Sequence, residues 1–178
     1  MNKFYVPLKI AVYMFLILLL SVILQMSLSN FIEIAYIAPN VLIIAVSASG
    51  FLIGKKSGIL MGFFAGFFID FLGSDLFGFS SIIFMMIGYI SGNLKRLLFI
   101  DKYWISLIVI GLADIFYGFC NFIFLFLLRG RTNLLYYLKR IILSEAVYTV
   151  VIATVLYPLL KLLLLRVEKL ITDYNSKR

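Results

Sequence analysis

The sequence predicts an all-α integral membrane protein, a bundle of six transmembrane helices. Three observations predict it. Mean hydropathy is +1.13. The 178 residues are 64% hydrophobic and only 13% charged, whereas water-soluble domains are about half apolar and a quarter charged. Apolar runs of about 15 to 25 residues recur end to end, the length that crosses about 30 Å of hydrocarbon. Backbone N–H and C=O groups find no water in lipid, so each run must satisfy them internally, as a helix does.

The first helix spans about 7–28. Lys3 and Lys9 precede its apolar run from Ile10 to Leu24, and Ser27-Leu28-Ser29 has the small-x-small look of a signal-peptide cleavage site. The run sits at the upper length limit for a signal peptide, so the expectation is a retained spanning helix. A polar stretch around Asn30 and Glu33 leads to the second helix, about 38–54, which opens at Ala38-Pro39-Asn40. Proline is tolerated in that first turn because its missing N–H would have no helical partner there. The turn Gly54-Lys55-Lys56-Ser57-Gly58 sends the chain back as a third helix, about 57–72, and Gly73 to Gly78 returns it. The fourth helix covers about 79–94 and stops at Lys95-Arg96. Tyr103 and Trp104, suited to the membrane interface, introduce the fifth, about 102–128. An amphipathic connection leads to the sixth, about 141–165, and a charged tail, 166–178, follows. The whole reads as one transmembrane domain.

The net charge of +8 comes from 16 basic and 8 acidic residues. The basic residues lie between apolar runs, as topology anchors and contacts to anionic lipid headgroups do. No basic stretch with interleaved aromatics lies outside the membrane, so nucleic acid is not an expected partner. Placing both termini in the cytoplasm puts Lys3, Lys9, Lys55, Lys56, Lys95, Arg96, Lys102, Lys161, Arg166, Lys169, Lys177 and Arg178 inside. Arg129, Arg131, Lys139 and Arg140 then form one outer basic loop that departs from the positive-inside rule, with Glu33 and Asp75 also outside. There is no histidine and a single cysteine, Cys120. That excludes an internal disulfide, Cys/His zinc sites and histidine-based catalysis, and Cys120 reads as a small core residue. No cofactor is expected.

Two patterns carry information. Gly58, Gly62 and Gly66 recur every four residues ahead of Asp70, and Gly88 and Gly92 repeat the spacing in the next helix. Small residues let helices approach closely, which matters where apolar burial does not drive association. Such a face serves internal packing or a groove for a partner's helix. The second pattern is three acidic residues at membrane depth: Asp70, Asp114 and Glu145. A charge at a helix centre costs on the order of 3 kcal/mol, so each must be protonated, paired or hydrated. Gly111, Asp114, Gly118 and Asn121 share one small, polar face of the fifth helix, which should point into the bundle. Asp114 serves either a structural hydrogen bond or a functional site. Asp70 and Glu145 are placed to pair with Arg129, Arg131 or Arg140.

Pro39-Asn40 opening the second helix, the glycine turn at 54 and 58, Gly62 through Asp70, Gly73, Gly78 and Gly88-Tyr89 followed by Gly92 together resemble the rod-shape-determining protein MreD family. The specific likeness covers about 39–96; the remaining helices match in hydropathy and position. The family's positions carried over are Pro39, Asn40, Gly62, Gly66, Asp70, Gly78, Gly88 and Tyr89. The resemblance implies a non-enzymatic inner-membrane subunit of the bacterial elongation machinery. It would bind MreC and help couple MreB filaments to RodA and a penicillin-binding protein. It also implies the six-helix fold of the substrate-capture subunits of energy-coupling-factor vitamin transporters.

The leading expectation is a scaffold. The alternative is a transporter's substrate-binding subunit, with Asp70, Asp114, Asn121 and Glu145 ringing a cavity for a small polar ligand. Those subunits often carry a small-x3-small pattern on the first helix, and Tyr13 to Leu20 is bulky here, which favours the scaffold. A phosphatidyl-transferase-like enzyme is third, since Asp70 and Asp75 alone are a poor carboxylate cluster for metal chemistry.

Overall fold

The computed structural model describes residues 5–31, 38–73, 77–98, 103–129 and 141–176. These hold six helices and no strand: α1 Tyr5–Phe31, α2 Val41–Ile53, α3 Lys55–Gly73, α4 Phe79–Leu98, α5 Tyr103–Arg129 and α6 Leu143–Ser176. Three stretches, Pro7–Leu28, Tyr103–Phe124 and Leu143–Tyr174, are long and apolar enough to cross a membrane alone. The outward faces are apolar as well. Val147, Val151, Val155 and Leu159 of α6 and Phe63, Phe64, Phe67 and Phe71 of α3 are all exposed. Hydrocarbon, not water, suits that exterior.

α2 occupies the centre. Every residue from Val41 to Leu52 is buried, and α2 touches all five other helices. A helix apolar all round belongs inside. Its ends are set by local chemistry. At the start, the Asn40 side chain accepts the N–H of Ile43 at 3.2 Å, an N-cap. At the finish, Gly54 takes φ +131°, a conformation that side chains resist, and α3 begins at the next residue.

α3 and α4 are the most intimately packed pair, and the glycine ladder explains why. Gly58 faces the backbone of Gly88, Gly62 that of Phe84, Gly66 that of Ser81, and Gly92 that of Lys55. As one number rises the other falls, so the helices run antiparallel with backbone against backbone. A Cβ at any of these glycines would collide with main-chain atoms of the other helix. Gly50 of α2 joins them, since a Cβ there would lie 2.6 Å from the Gly88 carbonyl oxygen. Of the two readings of Gly58, Gly62, Gly66, Gly88 and Gly92, internal packing and a groove for a partner's helix, these contacts are those of internal packing: the chain's own backbone fills that space.

The final helix also departs from expectation. Hydropathy ends it near Leu165 and leaves a tail, whereas α6 continues to Ser176. Leu160, Leu164 and Val167 continue one buried stripe past that point, and Glu168 forms an ion pair with Lys95 of α4 at 2.7 Å. Packing, which hydropathy does not see, keeps the helix going. Pro158 lies inside α6 and has no N–H to give the carbonyl of Thr154 one turn earlier. The Tyr103 hydroxyl of α5 supplies it, donating to Thr154 O at 2.7 Å.

Two outcomes are expected from these contacts. Gly62→Ala forces α3 and α4 apart and lowers unfolding free energy in detergent by about 1–3 kcal/mol. Gly111→Ala, which meets only a Val150 methyl at 3.0 Å, costs distinctly less. Tyr103→Phe costs about 1 kcal/mol, and that cost shrinks in a Pro158→Ala background, where a backbone N–H takes over the Thr154 carbonyl. A double-mutant cycle by thermal or denaturant unfolding measures the coupling.

Candidate functional site

The entry to α2 is tied down from both sides. Pro39 and Asn40 are buried. From α1, Gln25 straddles the junction: its Nε2 donates to Pro39 O at 3.2 Å and its Oε1 accepts from Val41 N–H at 2.7 Å. From α6, the Thr149 hydroxyl accepts the N–H of Asn40 at 3.0 Å. The first turn of a helix leaves its N–H groups without intrahelical partners, and in a dry interior other side chains must take them. Gln25 and Thr149 do so.

Beside this junction is a cavity of about 270 Å³ lined by Gln25, Ala38, Asn40, Ile69, Tyr117, Ile141 and Glu145. Five helices or their approaches meet there. Asp114, one turn before Tyr117 on α5, is 2% exposed, and the Thr149 hydroxyl is the hydrogen-bonding group beside its carboxylate. Thr149 and Glu145 are its polar neighbours on α6. The small face of α5 is turned onto α6: Gly111 lies against Val150 and Gly118 against Ile142. Asn121 is the polar neighbour of the Tyr117 hydroxyl one turn along.

Asp70 serves α4. It is buried at the end of α3, and its carboxylate accepts the N–H groups of Gly78 at 2.9 Å, Ser80 at 3.2 Å and Ser81 at 3.2 Å. It also accepts the Ser81 hydroxyl at 3.1 Å. These N–H groups open α4, so Asp70 caps a helix N-terminus, where orphan donors and the positive end of the helix dipole both favour a carboxylate. Gly78, at φ +92°, turns the chain so that its amide faces that carboxylate. Arg131, Lys139 and Arg140 lie outside the described residues, as do Glu33 and Asp75, and so does the side chain of Arg129. Tyr89 is exposed on the outer face of α4, away from the cavity.

The opposite end of the bundle is basic. Lys95 donates to the carbonyl of Leu52 at the end of α2 and pairs with Glu168. Lys55 and Lys56 begin α3 at that same end.

The description rod shape-determining protein MreD belongs to a family model that matches residues 8–167. The chain belongs to the MreD family. No curated protein and no solved structure matches it significantly. It is thus a rod-shape-determining membrane protein. The span matched to the MreD family takes in every residue of the cavity, the Asp70 cap and the whole glycine contact. Reasoning from sequence named Asn40, Asp114 and Glu145 but missed Gln25, Tyr117, Thr149 and Gly50. Gln25 had a signal: it is a lone amide deep in the apolar run of α1.

Asp70→Ala leaves the opening N–H groups of α4 without their acceptor and costs about 1–3 kcal/mol, while Asp70→Asn, which keeps one acceptor oxygen, costs less. Thermal unfolding of the purified variants checks the order.

Proposed function

We propose that the protein is a non-catalytic scaffold subunit of the bacterial cell-elongation complex. It binds MreC and, directly or through MreC, supports MreB, RodA and a penicillin-binding protein in lateral peptidoglycan synthesis. The family match along 8–167 carries this reading. It resides in the inner membrane as a multi-pass protein with both termini cytoplasmic. The gathering of Lys55, Lys56, Lys95 and the last turns of α6 at one end, with Asp70 and Glu145 at the other, supports that orientation by the positive-inside rule. Because backbone already fills the glycine ladder, MreC meets one of the outward apolar faces or the loops. No reaction is assigned, and metal-dependent chemistry is not invoked.

The polar cavity favours a second reading, a substrate-binding subunit of a small-molecule transporter. One purification separates the two. The tagged full chain, solubilised from native membranes, is expected to bring MreC with it in near-stoichiometric amount, and its depletion is expected to round rod-shaped cells. Recovery of an ATPase module with a bound small molecule, without MreC and without a shape defect, overturns the scaffold in favour of the transporter.

A further inference from the structure

α6 outruns its neighbour α5. That helix begins at Tyr103, whose hydroxyl meets Thr154 O, and its Ser106 meets the Tyr157 hydroxyl at 2.6 Å. Beyond Pro158, α6 therefore runs past the start of α5. The face that meets α5 at Thr154 continues at helical spacing as Lys161, Leu165 and Thr172. Along that continuation is an open groove of about 450 Å³, and every residue that lines it belongs to α6.

The groove changes character along its length. Leu162, which is 65% exposed, and Leu165 form its apolar part, and Arg166, Lys169, Thr172 and Asp173 form its polar part. From Leu162 to Asp173 the helix rises about 16 Å. An apolar wall giving way to a charged one follows the passage from hydrocarbon to headgroup at a bilayer surface, so the groove suits an amphiphile better than a soluble anion. Charge sets the sign of its head. Glu168 also lines the groove, but Lys95 pairs with it at 2.7 Å. The Thr172 hydroxyl is engaged too, donating to Glu168 O at 3.0 Å. Arg166 and Lys169 are exposed and make no ion pair among the described residues. Asp173, the remaining acid of the lining, is at the outer rim, seven residues beyond Arg166. Lys161 adds a cation one turn before Leu165 on the same face. The stretches of chain that adjoin this end, 99–102 and 177–178, bring Lys102, Lys177 and Arg178 against Asp101, which adds to the positive charge. A guanidinium fork matches two phosphate oxygens, and an ammonium beside it supplies a compact second charge.

We propose that this groove binds one anionic phospholipid of the adjoining leaflet, with an acyl chain along Leu162 and Leu165 and the phosphate held by Arg166 and Lys169. The inference does not rest on the scaffold reading: MreC capture and lipid retention are separate measurements, and either stands without the other.

The test uses the full chain. Purified protein in nanodiscs of equal parts phosphatidylglycerol and phosphatidylcholine is analysed for retained lipid by native mass spectrometry. The wild type is expected to retain one phosphatidylglycerol with about tenfold preference over phosphatidylcholine, the scale of one charge-assisted contact. The double variant Arg166→Gln/Lys169→Gln brings the preference close to parity. Lys55→Gln/Lys56→Gln removes the same charge at the same end of the bundle but outside the groove, and leaves the preference intact. All four side chains are exposed, so both variants keep the fold, which thermal unfolding checks. Equal retention of the two lipids by the wild type overturns the proposal and gives the groove to a soluble acidic partner. A preference unchanged in the groove variant also overturns it. So does an equal fall in both double variants, which assigns the preference to net charge alone.

Discussion

A short helix sealed inside a bundle must have both of its ends satisfied by other parts of the chain, and that constraint organises this molecule. α2 has 13 residues, about 20 Å of helix, and every residue from Val41 to Leu52 is buried. Asn40 and Gln25 take N–H groups of its first turn, Thr149 takes the N–H of Asn40, and Lys95 reaches the carbonyl of Leu52 at the other end. Polar residues that look costly on α1, α4 and α6 thus act together. They satisfy both ends of the central helix, around which the longer helices stack. Asp70 repeats the device for α4, and Tyr103 repeats it for the gap that Pro158 opens in α6.

How much of this the sequence disclosed follows from what hydropathy measures. It reports the solvent, so the number of helices and the start of α2 at Pro39-Asn40 were legible, as was the reversal at Gly54. It does not report which neighbour a helix finds. The four-residue glycine spacing said that something approaches closely, but not that α4 approaches α3 from within the same chain. The end of α6 was misplaced for the same reason: charged residues after Leu165 signal water, yet Leu164 and Val167 still have a buried stripe to complete. Asp70 was recognisable as unusual but not as a cap, since its donors come from a helix that starts beyond an intervening loop.

The acidic pair differs from these structural carboxylates. Asp70 faces a row of donors, whereas Asp114 has the Thr149 hydroxyl beside it and Glu145 borders open volume. The same bundle therefore contains a carboxylate with a full set of backbone donors and two without one among the described residues. Burial alone does not distinguish them. The inventory of donors does.

The 34 residues of α6 make a rod about 51 Å long, against about 30 Å of hydrocarbon. Tilted by the usual 20° or so, it still outreaches the bilayer. The surplus lies at the Lys95 end, where Glu168 fixes it to α4 and where Lys169 and Asp173 alternate in sign. A span that emerges as a braced mast transmits sideways force into the bundle instead of bending at the surface, so a load applied in the aqueous phase would be felt at the core.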